Sequence, residues 1–504
     1  MELRIGKFYL VLMALIAFAV LSLGGCRNDD VNESPDVQLS FSTDSVKFDT
    51  VFNTVGSATQ LLKVFNNEDA FVRISEINLL NDGNNSYRIN VDGLSGDSFS
   101  DLEIPPNDSI FIFVEVTVTP NADQLYPFVE GQLQFLVNGN EQLVDLVAWG
   151  WDAIFYVPTV FPTNGLPDFT VIDPDNPNAT VTWTNEKPIV VYGYLVVDSL
   201  QTLIVEPGTE VFFHEGGGLW VFRDGNIRAE GTLEQPITFQ GDRLEPLYDE
   251  QPGQWDRIWI NEGSQDNVFR HCLIKNNFIG IQAETLPFSY NIDAGLVENT
   301  LELENVTIRN NSIAGLFTRN YRVDGTNLQI SSGGQYLFAG TGGGAYNFDQ
   351  CTFANNWRFG IRNTPSVFIN NYFQVDQSTI AVVDIESSLF RNCIIYGNSF
   401  NEFGLDFEEG QGTDLDLQFQ NCLFRSEEEV IQEYIDDENN YLIGDVYVNQ
   451  QPGFVDFSGG DLRITEDAFV REKGVDTSGL PSNDIVGTPY NSPPPIGCFE
   501  FLPE

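Results

Sequence analysis

Five stretches of this chain carry one pattern: NVFRHCLIKNN, LELENVTIRNN, YNFDQCTFANN, SLFRNCIIYGN and LQFQNCLFRSE, centred on Cys272, Val306, Cys351, Cys393 and Cys422. In each, a small apolar residue is followed two positions on by Ile274, Ile308, Phe353, Ile395 or Phe424, the period of a strand with one buried face. Recurrence at 29 to 45 residues predicts a solenoid, in which a coil buries its apolar face only by stacking on the next. The longer gaps leave room for an intervening coil.

That register sorts the remaining positions. With Cys272 and Ile274 inward, His271, Leu273 and Lys275 face outward. The same offsets give a column of mostly amide side chains and a second column containing Lys275, Arg309, Tyr396 and Arg425. Guanidinium groups pair bidentately with carboxylates and tyrosine offers an aromatic face, so these four residues are the candidate glycan-facing set. Solvated strand residues paired with nearby acids are the plainer alternative. Asn276, Asn310 and Asn355 read as turn residues stacking amide on amide.

Composition excludes some partners. With 73 acidic against 24 basic residues, the formal charge is −49, and no segment gathers enough Lys or Arg to hold a nucleic acid. No cofactor is implied except calcium, for which Asp173, Asp175 and Asn178 in VIDPDNPNAT form a candidate oxygen cluster, though an Asx-Pro turn explains the same residues. Two histidines, His214 and His271, and no Cys-x-x-Cys pair disfavour a transition metal. The cysteines of the repeat are expected as free thiols filling a narrow core.

At the N-terminus, Arg4 and Lys7 precede an apolar run from Phe8 to Leu23, too short to span a bilayer and suited to a signal peptide. Its end, Leu23-Gly24-Gly25-Cys26, resembles the lipobox of bacterial lipoproteins. That resemblance implies a cleaved segment over residues 1–25, lipidation of Cys26 and attachment to a membrane through acyl chains. Asn28, Asp29 and Asp30 resemble the acidic stretch that directs lipoproteins to the outer face in the Bacteroidetes, which implies an outer-membrane, surface-exposed location. A polar tether is expected over 26–38.

Two folded parts should follow. Over 39–150, seven short alternating runs, among them QLLKVFN, SIFIFVEVTV and GQLQFLV, are separated by turn signals such as NDGNN and predict an immunoglobulin-like β-sandwich acting as a spacer. From 151 to 504 the chain is β-rich without a helical period. Here LIVEPGTEVFF, AEGTLEQPITF, and the closing QPGFVDFSGGDLRITEDAFVREKGVD with PPPIGCFEF resemble right-handed parallel β-helix proteins of the pectate-lyase-like superfamily, from residue 185 to 502. The expected fold is therefore all-β, a sandwich followed by a parallel β-helix with a terminal coil.

The resemblance implies no particular activity. A glycoside hydrolase needs carboxylates about 5 to 9 Å apart, and a lyase needs a base near a neutraliser of the uronate. Neither a Gly-His-Gly motif nor an Asp-Pro-His-Glu motif is present. Arg257 with Asp256, or Lys275 with His271, supply lyase-like groups by chemistry alone, but His271 and Lys275 lie about 13 Å apart along a strand. The expectation is a non-catalytic surface lipoprotein that binds glycan or an envelope protein. The alternative is an anchored lyase or hydrolase acting on uronate-containing glycans.

Overall fold

The structure, a computed structural model, describes residues 30–53, 56–81, 83–119, 127–284, 300–374, 380–408, 414–437 and 441–503. The chain divides into two compact units, one ending at Asp152 and the other beginning at Ala153.

In the first unit the described residues form two five-stranded sheets packed over one apolar core. The alternation read from sequence produces the strands Gln60–Phe65, Val72–Leu80, Tyr87–Val91, Ser109–Val116, Phe128–Val137 and Asn140–Trp151, whose alternate side chains are buried. The last two are joined by Asn138-Gly139, both at positive φ, the pair a tight hairpin turn requires. Ser98–Ile104 is an added edge strand; it is mostly exposed, so it lacks the alternation that would have announced it. Among the described strands pairing is antiparallel except where Ser45–Phe52 runs parallel to Asn140–Trp151; an isolated parallel bridge joins Val31 to Phe71. The stretch expected as a tether is built onto this unit from Asp30 onward: Asn138 Nδ2 donates to the carbonyls of Asn32 and Ser34, and Val37 and Leu39 are buried.

Among the described residues the second unit is a parallel β-helix of three long sheets, of eleven, nine and ten strands. Face A has eleven strands, including Glu210–Phe213, Ile237–Gly241, Cys272–Lys275, Thr307–Asn311, Gln329–Gly333, Thr352–Asn355, Ile394–Gly397 and Leu423–Phe424. Face B has nine: Phe169–Val171, Tyr194–Val197, Gly218–Val221, Trp255–Asn261, Asn277–Glu284, Ala314–Arg319, Tyr336–Thr341, Val367–Asn370 and Phe403–Asp406. Face C has ten, among them Asn267–Arg270, Thr300–Glu304, Arg322–Thr326, Ala345–Asp349, Ile385–Arg391 and Leu415–Gln420. The chain visits A, B and C in turn, and each strand pairs with its counterpart one coil away.

The sequence repeat is the corner from face C into face A. Cys272, Val306, Cys351, Cys393 and Cys422 are buried, as are the five residues two positions on. His271, Asn305, Gln350, Asn392 and Asn421, expected as an outward column, instead make this corner, with φ between 46° and 55°. Asn327 has the same conformation, and with buried Leu328 and Ile330 it supplies a sixth coil inside the gap between Val306 and Cys351. The gap from Cys351 to Cys393 holds no extra coil; it is taken up by the segment 356–366 and by the antiparallel pair Tyr372–Gln374 with Ile380–Val382.

The corner from A into B uses left-handed Asn276, Asn310 and Ser332, and Asn310 Nδ2 donates to Asn276 Oδ1 at 3.1 Å, the amide ladder expected there. Asn355 bonds backbone instead, its amide pairing with the N–H and carbonyl of Gly333.

The interior is mainly apolar and most aromatic toward the C-terminal coils, where Phe338, Phe348, Phe353, Phe390, Phe419 and Phe424 pack ring to ring, Phe390 and Phe419 with centroids 4.6 Å apart. All five described cysteines are free and buried. The thiols of the four repeat cysteines donate to backbone carbonyls, Cys272 to Ala229 and Cys422 to Phe390, and burial holds Cys272, Cys351 and Cys422 well above the ordinary thiol range.

After the face A strand Leu423–Phe424, the helix Glu428–Asp436 stands where a strand of face B would come, and its Tyr434 packs on Phe403; Tyr447–Val448 then completes face A. The remaining chain then folds back over face A. Ile464, Val470 and Ile496 pack on Ile394 and Leu423, while Leu462, Cys498 and Phe499 pack with Ala354.

Candidate binding face

Two segments lie over the outward side of face A, and they decide the fate of the expected glycan-facing column. Lys275 is buried, with Nζ 2.6 Å from Asp249 Oδ1, and Arg309 grips both carboxylate oxygens of Glu250 at 2.8 and 2.9 Å. Both acids belong to the segment 242–253, which also caps Asn276 through the carbonyls of Tyr248 and Asp249. Tyr396 is buried against Phe454 and Phe457 of the returning C-terminal segment, and Arg425 lies over the Tyr396 ring while donating to the Ser399 carbonyl. The four therefore do not form an open column. Insertions distant in sequence cover the face, and strand periodicity alone carries no information about what folds back onto a strand.

The other expected sites are placed as follows. Asp173 and Asn178 lie in a turn: the Asp173 carbonyl accepts from Gln201 Nε2 at 2.7 Å, and Asn178 N donates to Asn176 Oδ1. Among the described residues no group of three or more His, Cys, Asp or Glu side chains is arranged to hold a metal ion. His271 is a corner residue beside Asn305. Cys26 lies outside the described residues.

Face B presents a different surface. Eight of its nine described strands carry a related four-residue segment, LVVD, LWVF, IWIN, IQAE, LFTR, FAGT, VFIN and FGLD, in which the first and third residues are apolar except for Thr318 and Gly340, the second varies and the last is polar except for Phe222. The apolar pair points into the core, so the variable and final residues point outward. The variable residues form one row in strict register, Val196, Trp220, Trp259, Gln282, Phe317, Ala339, Phe368 and Gly404. Trp220 and Trp259 stack with centroids 4.7 Å apart, and Trp259, Phe317 and Phe368 are half-buried and reach solvent. Beside this row runs a polar one: Asn261, Glu284, Arg319 and Thr341, then Asn370 and Asp406.

A hydrogen-bonded network ties the two rows together across neighbouring coils. The Tyr194 hydroxyl donates to Asp256, which also accepts from Arg257 Nε and Nη2 at 3.0 and 2.8 Å. Arg257 reaches on to Gln282, whose amide donates to Glu284 at 2.8 Å; the Trp259 indole donates to the same carboxylate oxygen at 2.8 Å. Arg319 lies 3.6 Å from the other Glu284 oxygen, and the Trp220 indole donates to Asn261. Burial works against the charge on Arg257, but the Asp256 carboxylate outweighs it and raises the pKa. Burial and the same carboxylate push the Tyr194 hydroxyl up, so it remains a donor. Of the pairs considered from sequence, Asp256 and Arg257 are thus brought together here, whereas Lys275 and His271 are not.

No protein-family model and no curated protein sequence matches the chain. Among solved structures, the catalytic domain of a family 87 α-1,3-glucanase in complex with tetrasaccharides is similar over 72% of this chain and 80% of that one, at 11% identity and a TM-score of 0.20. A family 123 glycoside hydrolase from Clostridium perfringens, described for glycolipid glycan hydrolysis, is similar over 23% of this chain at 8% identity and a TM-score of 0.17; the match spans 27% of that enzyme's length.

Proposed function

We propose that this chain is a non-catalytic polysaccharide-binding protein, held at the outer membrane by lipid on Cys26, whose ligand lies along face B. The observation that carries the reading is the register-matched row of aromatic side chains beside a row of amides, carboxylates and a hydroxyl. Aromatic surface covers the apolar faces of sugars, and the adjacent polar groups suit their hydroxyls. The ligand is uncharged. Arg257 and Arg319 are already matched by Asp256 and Glu284, which leaves no spare positive charge on these strands for a uronate, and the net charge of −49 repels polyanions. The carboxylates are equally committed to arginine, tyrosine, amide and indole donors, which favours binding over turnover.

Affinity electrophoresis through gels containing glucomannan, xyloglucan or polygalacturonate tests this. The neutral polysaccharides are expected to retard the protein, and Trp259→Ala is expected to weaken retention about tenfold. Retardation by polygalacturonate alone would overturn the uncharged ligand. Release of reducing ends or unsaturated products would convert the reading to an enzyme, with Asp256 and Glu284 the first carboxylates to replace. For the anchor, Cys26→Ala is expected to move the protein from the membrane to the soluble fraction.

A further inference from the structure

The row on face B is not uniformly aromatic. From Trp259 onward it alternates: Trp259, Gln282, Phe317, Ala339, Phe368, Gly404, one residue from each of six consecutive coils in continuous register. Large planar side chains occupy every second coil and short or flexible ones fill the coils between. Ala339, in register between Phe317 and Phe368, is 1% exposed. Coils stack about 4.8 Å apart, so the aromatic platforms recur about every 10 Å, the advance of two rings in an extended, equatorially linked pyranose chain.

Given the polysaccharide reading above, on which this rests, we infer that the ligand is an extended ribbon-like glycan with a two-residue repeat, running parallel to the solenoid axis with about one sugar ring per coil. In such a ribbon each ring is turned by half a revolution from the last, so every second ring offers the same face. That face meets Trp259, Phe317 and Phe368 in turn, and the intervening rings lie over Gln282 and Ala339, where a bulky side chain would collide. Of the polar row two residues along the strands, Arg319, Thr341, Asn370 and Asp406 reach solvent and face the edge of the ribbon and its hydroxyls, while buried Asn261 and Glu284 hold the indoles of Trp220 and Trp259. A curved glycan, helical with a different repeat, would fall out of step with the platforms after one contact.

Calorimetric titration of the purified mature chain with cellohexaose, mannohexaose, maltohexaose and laminarihexaose tests the inference. The first two are expected to bind at least tenfold more tightly than the last two. Within the cello-oligosaccharides, affinity should rise in steps of two rings. Ala339→Phe, which fills a short position, should weaken cellohexaose at least tenfold, and so should Phe317→Ala, which removes a platform without adding bulk; circular dichroism verifies that each variant is folded. Preference for maltohexaose or laminarihexaose, an even gain with every added ring, or full affinity in folded Phe317→Ala would overturn the two-ring repeat while leaving a glycan-binding face intact. Failure of all four oligosaccharides, together with unretarded migration in every polysaccharide gel, would overturn both.

Discussion

His214 is one of two histidines in the chain, and its ring sits between a carboxylate and an aromatic. Nδ1 lies 2.7 Å from Asp242 Oδ2, and the imidazole packs on Tyr192 with centroids 4.5 Å apart. The hydrogen bond to Asp242 raises the His214 pKa in the folded state, against a smaller opposing effect of burial; Glu215 adds to the rise and Arg243 subtracts. A raised folded pKa contributes stability that is complete below the unfolded value of about 6.5 and is lost as pH climbs through the folded value. Because the ring is half exposed, the contribution is a few tenths of a kcal/mol. His214→Gln should therefore lower Tm slightly at pH 5 and leave it unchanged at pH 9; a gap of equal size at both would sink this account. The residue scale is also where sequence reading is weakest. Lys275 and Tyr396 are outward by strand register, and register is all that periodicity supplies. Their burial depends on Asp249 and Phe457, residues 26 and 61 positions away, for which no local pattern exists.

At the scale of the element, the corner from face C into face A is the most informative part of the chain. One left-handed residue turns the backbone at each of six coils, and asparagine occupies four of them because its short amide tolerates that conformation. Asn392 also clamps Val475, accepting from its N–H at 2.8 Å and donating to its carbonyl at 3.0 Å. The two roles separate by substitution. Asn392→Gly keeps the corner and loses the clamp, costing about 1 kcal/mol, whereas Asn392→Ala loses both and should cost about 1–2 kcal/mol more. Thermal or urea unfolding reads the difference, and equal losses would remove the backbone role. These corners made the solenoid legible, since a fixed turn forces a fixed offset between cysteine and isoleucine. The coil at Leu328 escaped because leucine replaces the small residue. Face B escaped because its diagnostic position varies from Trp to Gly, and only alignment on the flanking apolar pair brings the row out.

At the scale of the whole solenoid, the core is continuous from coil to coil, so a defect in it is felt beyond one strand. Phe348, fully buried, touches the rings of Phe338, Phe353 and Phe390 on neighbouring strands. Phe348→Ala should cost about 3–5 kcal/mol, measurable as a shift of the chemical unfolding midpoint; a loss below about 1 kcal/mol would mean the coils collapse around the gap. The returning C-terminal segment has a different reach. It bonds the corner residues of successive coils: the Asn483 carbonyl accepts from Asn327, the carbonyls of Pro495 and Gly497 accept from Gln350, Val475 pairs with Asn392, and the Lys473 carbonyl accepts from Asn421. Coils joined only to their neighbours would peel one at a time when pulled from the open end, each at low force. With four of them fastened by a single returning segment, they can part only together, so a solenoid loaded by its own ligand should resist tension in one large step at this end and yield coil by coil only where that segment does not reach.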